Sequence, residues 1–303
     1  MSSTTPTQPD LRTRCTVEAC RDDAQLRGYI DEHWRAGHIL ARDERMFAFT
    51  YRTPWVDRTR FPGGTSVLCI YDDDRLLGFL GTFITPYPRP ESYWLALWHV
   101  LPELKGTGLG GALLREMQSR CESVDGWIGT FGAGPEAVPV YLKRGYAVRA
   151  VRRWVYDPQT NPEGACRAVA LHSSERPPDD AWHTYRYDRH PIFEYDRRAE
   201  GVFRTEQNAW GVVTHCCRLN GNPRATLDEI HRDGARLARA SGVPHLLDAW
   251  AFDCPGAGWT LAAEDLPSVF HPPSARGNLI YASGRPFVPS MVTKGDCDQD
   301  RPN

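Results

Sequence analysis

Long apolar runs are what this 303-residue chain most plainly lacks. No window approaches the ~20 consecutive apolar residues of a membrane-spanning helix. The opening stretch MSSTTPTQPDLRTRC has no apolar core of the kind a secretory leader needs. An excess of charge of one sign is missing as well, since 36 Lys and Arg stand against 38 Asp and Glu for a net charge of -2. That balance offers no general attraction for nucleic acid or an anionic membrane surface. Cysteine motifs are absent too: the nine cysteines are odd in number, scattered and without a CxxC spacing, as expected of reduced thiols in a cytoplasm. A cytoplasmic protein with no nucleic-acid partner, no membrane partner and no metal is the expectation.

What remains is an ordinary globular composition, 41% hydrophobic and 24% charged, with the length of two domains. Residues 1–14 and 290–303 are polar and aperiodic, so frayed tails are expected there. Asp22 to Ala36 places Leu26, Ile30 and Trp34 at helical spacing, and Ser66 to Tyr71, Leu76 to Ile84 and Tyr93 to Val100 read as strands. Further on, Leu109, Leu113, Met117 and Cys121 share one helix face. Trp127 to Phe131 is a strand, Glu136 to Arg144 a short helix and Tyr146 to Tyr156 another strand. A strand meander followed by alternation of strands and helices predicts a mixed α/β, or α+β, architecture.

Between 157 and 188 the composition turns to Pro, Asp and Ser, that of a linker with one strand at Arg167 to Leu171. Beyond it, AWGVVTHCCRLNGNPRATLDEIHRDGARLARASGVPHLLDAWAF repeats the order strand, loop, helix, strand seen in YWLALWHVLPELKGTGLGGALLREMQSRCESVDGWIGTF. The repeat predicts an internal duplication over 189–289. His215, Cys216 and Cys217 fall in its apolar run and read as buried strand residues rather than metal ligands or a nucleophile.

The stretch HVLPELKGTGLGGALL carries the chemistry. Gly106, Gly108, Gly110 and Gly111 crowd into six positions and open directly onto a helix, with Lys105 before them. Bare backbone at a helix start presents unpaired N–H donors and the positive end of the helix dipole, which suits a phosphate. A Walker A loop is excluded, because no GxxxxGK[ST] is present. A dinucleotide fingerprint can be traced through Gly106, Gly108 and Gly111, but several strands precede it and the strand ending at Phe131 lacks the required carboxylate.

VLPELKGTGLGGALL resembles the acyl-CoA pyrophosphate loop of the GNAT superfamily of N-acyltransferases, with Lys105 at its Arg/Gln position and Gly108 and Gly110 at its small-residue positions. AVPVYLKRGYAV is similar to that superfamily's later element through Tyr141, Gly145 and Tyr146, although Gly134 stands where an asparagine is frequent. The resemblance covers residues 15–156. It implies a GNAT fold, a mixed and mostly antiparallel sheet flanked by helices, followed by a degenerate GNAT-like domain over 189–289 whose NGNPRAT loop has lost the anion site. One acetyl-CoA, or other acyl-CoA, per chain follows.

The resemblance further implies that Trp98, His99 and Val100 pair with the pantetheine arm, and that the backbone of Lys105, Gly106, Thr107, Gly108, Leu109, Gly110 and Gly111 holds the pyrophosphate. Tyr141 then contacts the donor and protonates the leaving thiolate. His99 is the candidate base, since it titrates in the useful range, while the position of a frequent glutamate base holds Trp94. Strand alternation sets His99 on the face opposite Trp94, Trp98 and Val100. The acceptor implied is a primary amine of a small molecule, such as an amino sugar or natural-product intermediate, or of a peptide. Aminoacyl-tRNA as donor and a non-catalytic acyl-CoA sensor are the rival readings. The second copy offers Asp248, Asp253 and His271 as polar groups near an acceptor pocket, and an oligomer is compatible with the sequence.

Overall fold

Strand pairing over long sequence distances organises this protein. The computed structural model describes residues 11–159, 180–209, 211–219, 223–263 and 276–282. Residues 160–179, with the strand expected at Arg167 to Leu171, lie outside the described residues, as do 290–303. The chain divides into two compact units. One comprises residues up to Thr85 with Glu91–Ile128, the other Pro86–Pro90 with the residues from Gly129 onward.

The described part of the first unit begins with α1 (Leu11–Arg14) and β1 (Cys15–Ala19). Helix α2 (Asp23–Tyr29) starts where the Asp22 carboxylate accepts the Ala24 N–H at 2.8 Å, a side-chain cap for an otherwise orphan donor. It then widens into a π turn at Ile30–Trp34. Helices α3 (Ile39–Arg42) and α4 (Glu44–Tyr51) follow, the latter capped by Asp43. Strands β2 (Val67–Asp72), β3 (Arg75–Thr85) and β4 (Ser92–Val100) complete an antiparallel run in the order β1-β2-β3-β4. Almost every residue of β3 is buried, which is why its sequence is a continuous apolar run rather than an alternation. Its Gly81 is demanded by packing, since a Cβ there would come within 2.5 Å of the Tyr51 ring. Helix α5 (Leu109–Glu122) buries Leu109, Leu113, Leu114, Met117 and Cys121 along one stripe. Each such side chain contributes roughly 1.5–3 kcal/mol by leaving water.

Strand β5 (Trp127–Phe131) starts in the first unit and ends in the second. The second unit continues with α6 (Val138–Leu142), β6 (Tyr146–Tyr156), α7 (Asp180–His183), β7 (Asp196–Arg198), β8 (Gly201–Asn208) and β9 (Gly211–Leu219). Helix α8 (Arg224–Ser241), β10 (His245–Ala251), β11 (Trp259–Leu261) and β12 (Arg276–Ala282) complete it. Its strands lie in the order β5-β12-β6-β10-β9-β8-β7, with β11 on β6. Strand β10 runs parallel to β9 and antiparallel to β6.

The C-terminal strand β12 inserts between β5 and β6, Leu279 facing Phe131 on one side and Arg149 on the other. Strand β6 pairs with β12 over Tyr146–Arg152 and with β10 over Arg152–Val155. The division between the two units falls inside β5. Helix α8 packs Leu227 and Ile230 into a core with Phe203, Cys216, Leu247 and Trp259. His215, Cys216 and Cys217 are buried strand residues as expected. Cys15, Cys20, Cys69, Cys121, Cys216 and Cys217 are free thiols, but Cys254 is disulfide-bonded, against the expectation of reduced thiols throughout.

Candidate active site

Strand β4 delivers the candidate groups of the first unit, and a bulge in it decides which way they face. Leu95 pairs with Thr82 and Trp98 with Leu80, so two residues of β4 stand opposite the single Gly81 of β3. An extra residue reverses side-chain parity beyond it. Trp94 pairs with Phe83 and His99 with Phe79, both on one face, whereas Trp98 and Val100 pair with Leu80 and Gly78 on the other. His99 therefore shares the face of Trp94, a correction to simple alternation, and remains opposite Trp98 and Val100.

On the second of these faces lies the glycine loop. Val100 and Trp98 come within 3.5 and 3.9 Å of where a Gly110 Cβ would stand. The chain leaves β4 through Leu101 and a single tight turn at Pro102–Leu104, where Lys105 N–H donates to Pro102 O and Thr107 N–H to Leu104 O. Gly106 and Gly108 then adopt φ of 80° and 82°, left-handed values that strain any residue with a Cβ. Gly108 is the N-cap of α5 and brings no side chain to cap it. The Leu109 N–H meets Thr107 Oγ1 at 3.3 Å. Among the described residues, the N–H groups of Gly106, Gly108, Gly110 and Gly111 have no protein acceptor. Such a set of orphan donors at the positive end of a 14-residue helix is chemically fitted to a pyrophosphate.

One cation near this loop escaped the sequence reading. The Arg12 guanidinium stands 3.8 Å from the Cβ position of Gly108. Its segment has no apolar periodicity, so only the fold reveals the proximity.

His99 occupies the opposite face with α2 and the π turn. Its Nδ1 lies 2.9 Å from the Tyr29 hydroxyl, which is also 3.1 Å from Leu77 O. The exposed Trp34 meets the imidazole edge-on at 5.6 Å, and His33 meets the Tyr29 ring edge-on at 4.8 Å. Burial holds the His99 pKa below the ordinary histidine value, with the neighbouring His33 and Lys105 acting in the same direction. The ring is thus neutral at neutral pH. Trp98, His99, Val100 and the segment Lys105–Gly111 are accordingly all assembled within the first unit.

Tyr141 belongs to the second unit, on α6, where it is buried against Tyr146 at a ring distance of 5.3 Å. Gly145 has φ of 77°, the left-handed turn that ends α6 and starts β6, which accounts physically for the Gly-Tyr pair after the tyrosine. Of the remaining polar groups, Asp248 is buried in an ion pair, Asp253 is an exposed partner of Arg149 at 3.7 Å, and His271 lies outside the described residues. No cluster of three or more metal-ligating side chains occurs among the described residues, and none of their helices is long and apolar enough to cross a membrane.

Residues 27–146 match the acetyltransferase (GNAT) family model. A GCN5-related N-acetyltransferase from Kribbella flavida is similar in structure at 11% identity, with a TM-score of 0.53 over 88% of this chain and 71% of that one. A second, from Sphaerobacter thermophilus, is 16% identical with a TM-score of 0.45 over 94% of this chain and 100% of that chain. Arabidopsis thaliana Naa50, in complex with a bisubstrate CoA analogue, is 15% identical with a TM-score of 0.36 over 46% of this chain and 86% of its own. No curated protein sequence matches the chain. The family match falls on the bulged β4, the glycine loop and α5, so the stretch that resembles a GNAT acetyltransferase is the one that carries the orphan donors.

Proposed function

We propose that the protein transfers the acyl group of one acetyl-CoA to a primary amine of a small molecule, an amino sugar or natural-product intermediate, by direct attack on the thioester. The observation that carries the reading is the set of orphan N–H donors of Gly106, Gly108, Gly110 and Gly111 at the start of α5, which follows the bulged β4. Lys105 to Gly111 bind the pyrophosphate through backbone, and the Trp98–Val100 segment pairs with the pantetheine arm. His99 accepts the proton that the amine loses as its nitrogen bonds to the carbonyl carbon. Tyr141 donates its phenolic proton to the departing sulfur and is reprotonated from solvent. The same tyrosine also packs on the donor.

Residues 189–289 are read as a degenerate copy without a CoA loop. Strand β9 carries one extra residue at Cys217, between the pairs Phe203 to Cys216 and Val202 to Arg218, and precedes α8 and β10 as the bulged β4 precedes α5 and β5. A peptide amine is the alternative acceptor. The location we propose is the cytoplasm.

Acetyl-CoA at 100 times its dissociation constant raises stability by ~2.7 kcal/mol, visible as a higher melting temperature. A panel of amines then reports transfer as free thiol. If no acyl-CoA shifts melting, the reading fails. If melting shifts but no amine releases thiol, the protein is a sensor.

A further inference from the structure

The hydrogen bonds around Tyr29 determine which nitrogen of His99 carries the proton. The Tyr29 hydroxyl has one hydrogen to give and two neighbours, Leu77 O at 3.1 Å and His99 Nδ1 at 2.9 Å. Leu77 O is a carbonyl and can only accept, and it already receives the Leu101 N–H at 2.9 Å. If the tyrosine proton went to His99, two oxygens would face each other with no hydrogen between them. If it goes to Leu77 O, the tyrosine oxygen is free to accept from Nδ1–H, and every contact is satisfied.

We infer that Tyr29, held by the Leu77 carbonyl, is a positioning residue that fixes His99 as its Nδ1–H tautomer and leaves the Nε2 lone pair as the proton acceptor for the amine. Nε2 makes no hydrogen bond to any described residue. Trp34 stands edge-on to the same ring and is 42% exposed, which makes it a wall for an incoming amine rather than core. The π turn at Ile30–Trp34 is what carries Trp34 and His33 to this place, and such local widening recurs at functional sites. When the amine nitrogen bonds to the thioester carbon it loses one proton to Nε2. The imidazolium then donates from both nitrogens, with Nδ1–H still held by Tyr29, and returns the proton to solvent. His33, Lys105 and Tyr29 are the titratable groups that face or act on the ring, and Glu103 and Arg75 act on Tyr29.

The inference rests on the acetyltransferase reading for its catalytic meaning, but its first test does not. In protein labelled with nitrogen-15 at histidine, two-bond correlations assign the protonated nitrogen of each ring, and His99→Gln identifies the His99 signals. Nδ1–H at neutral pH is expected for His99 in the wild type, and loss of that single form in Tyr29→Phe. A protonated Nε2 in the wild type overturns the inference, whatever the activity. In turnover, Tyr29→Phe is expected to lower kcat at least tenfold, leave KM for acetyl-CoA unchanged and move the acid limb of the kcat/KM profile to lower pH, because the imidazolium loses an acceptor. An unmoved acid limb with an unaltered melting temperature also overturns it. Absence of acetyl-CoA binding in the wild type, with the tautomer as inferred, would instead sink the acetyltransferase reading alone.

Discussion

Arg153 and Asp248 meet inside the second unit with side chains 0% and 1% exposed, the guanidinium Nε donating to Oδ2 at 2.6 Å. The other carboxylate oxygen takes His215 Nδ1 at 2.7 Å, and His215 on β9 lies opposite Arg204 of β8, itself ion-paired to Glu206. Asp248 is thus the shared anion of two buried basic side chains, Arg153 and His215, of which His215 also lies 3.9 Å from the Glu206 carboxylate. Asp248→Ala should destabilise the protein by about 3–5 kcal/mol, the effect of stranding a buried charge. Arg75→Ala, which removes an exposed pair with Glu103, should change stability by less than about 1 kcal/mol. Urea midpoints followed by tryptophan fluorescence compare the two, and equal effects would contradict the assignment.

This network also marks where the sequence stops being legible. The elements around the site were readable because each is local: Tyr93 to Val100 is an aromatic and apolar run of strand length, Leu109 to Cys121 keeps a helical stripe, and Gly145 announces a left-handed turn. Asp248 and Arg153 are 95 positions apart, and nothing in either segment encodes the pairing of β10 with β6. The insertion of β12 between β5 and β6 is hidden for the same reason, since pairing partners distant in the chain leave no period in the sequence. At the site itself, the motif glycines and Tyr141 were visible, but the face of His99 was not. It depends on one extra residue in β4, and a bulge has no composition of its own. Tyr29 and Arg12 were missed because their roles come from contacts 70 positions away in one case and from a loop geometry in the other.

The glycine loop should be sensitive in KM rather than in kcat. Gly108→Ala places a Cβ at a φ of 82° and distorts the start of α5, so KM for acetyl-CoA is expected to rise at least tenfold with a smaller change in kcat. Arg12→Ala removes only a partly solvated cation near the same loop, and a rise of roughly twofold to fivefold is expected. That second effect should shrink as salt is raised from low to physiological strength. Steady-state kinetics at two ionic strengths checks both, and a salt-independent Arg12 effect would argue against its acting on the donor's phosphates.

Tyr141 separates acid catalysis from packing. Tyr141→Phe keeps the ring that lies against Tyr146 and deletes only the hydroxyl. With the amine saturating, kcat is expected to fall by ~10²-fold while KM for acetyl-CoA stays put, the size typical of one proton-transfer group. An unchanged kcat would leave Tyr141 as a packing residue for the donor.

Histidine 245 makes stability depend on pH in the second unit. Its imidazole lies under α8, where Gly234 alone makes room: a Cβ there would come 2.1 Å from His245 Nε2. Burial, with His231 at a ring distance of 5.1 Å adding to it, pushes the His245 pKa down to about 4. The unfolded chain takes up a proton at an ordinary value near ~6.5, whereas the folded chain resists until about 4. The stability owed to neutral His245 is therefore fully present above pH ~6.5 and is lost progressively toward pH 4, at most by about 1.4 kcal/mol per pH unit, and the loss levels off below. Urea midpoints measured from pH 7.5 to 4 should fall more steeply in the wild type than in His245→Leu, and parallel curves would show that His245 is protonated as easily folded as unfolded.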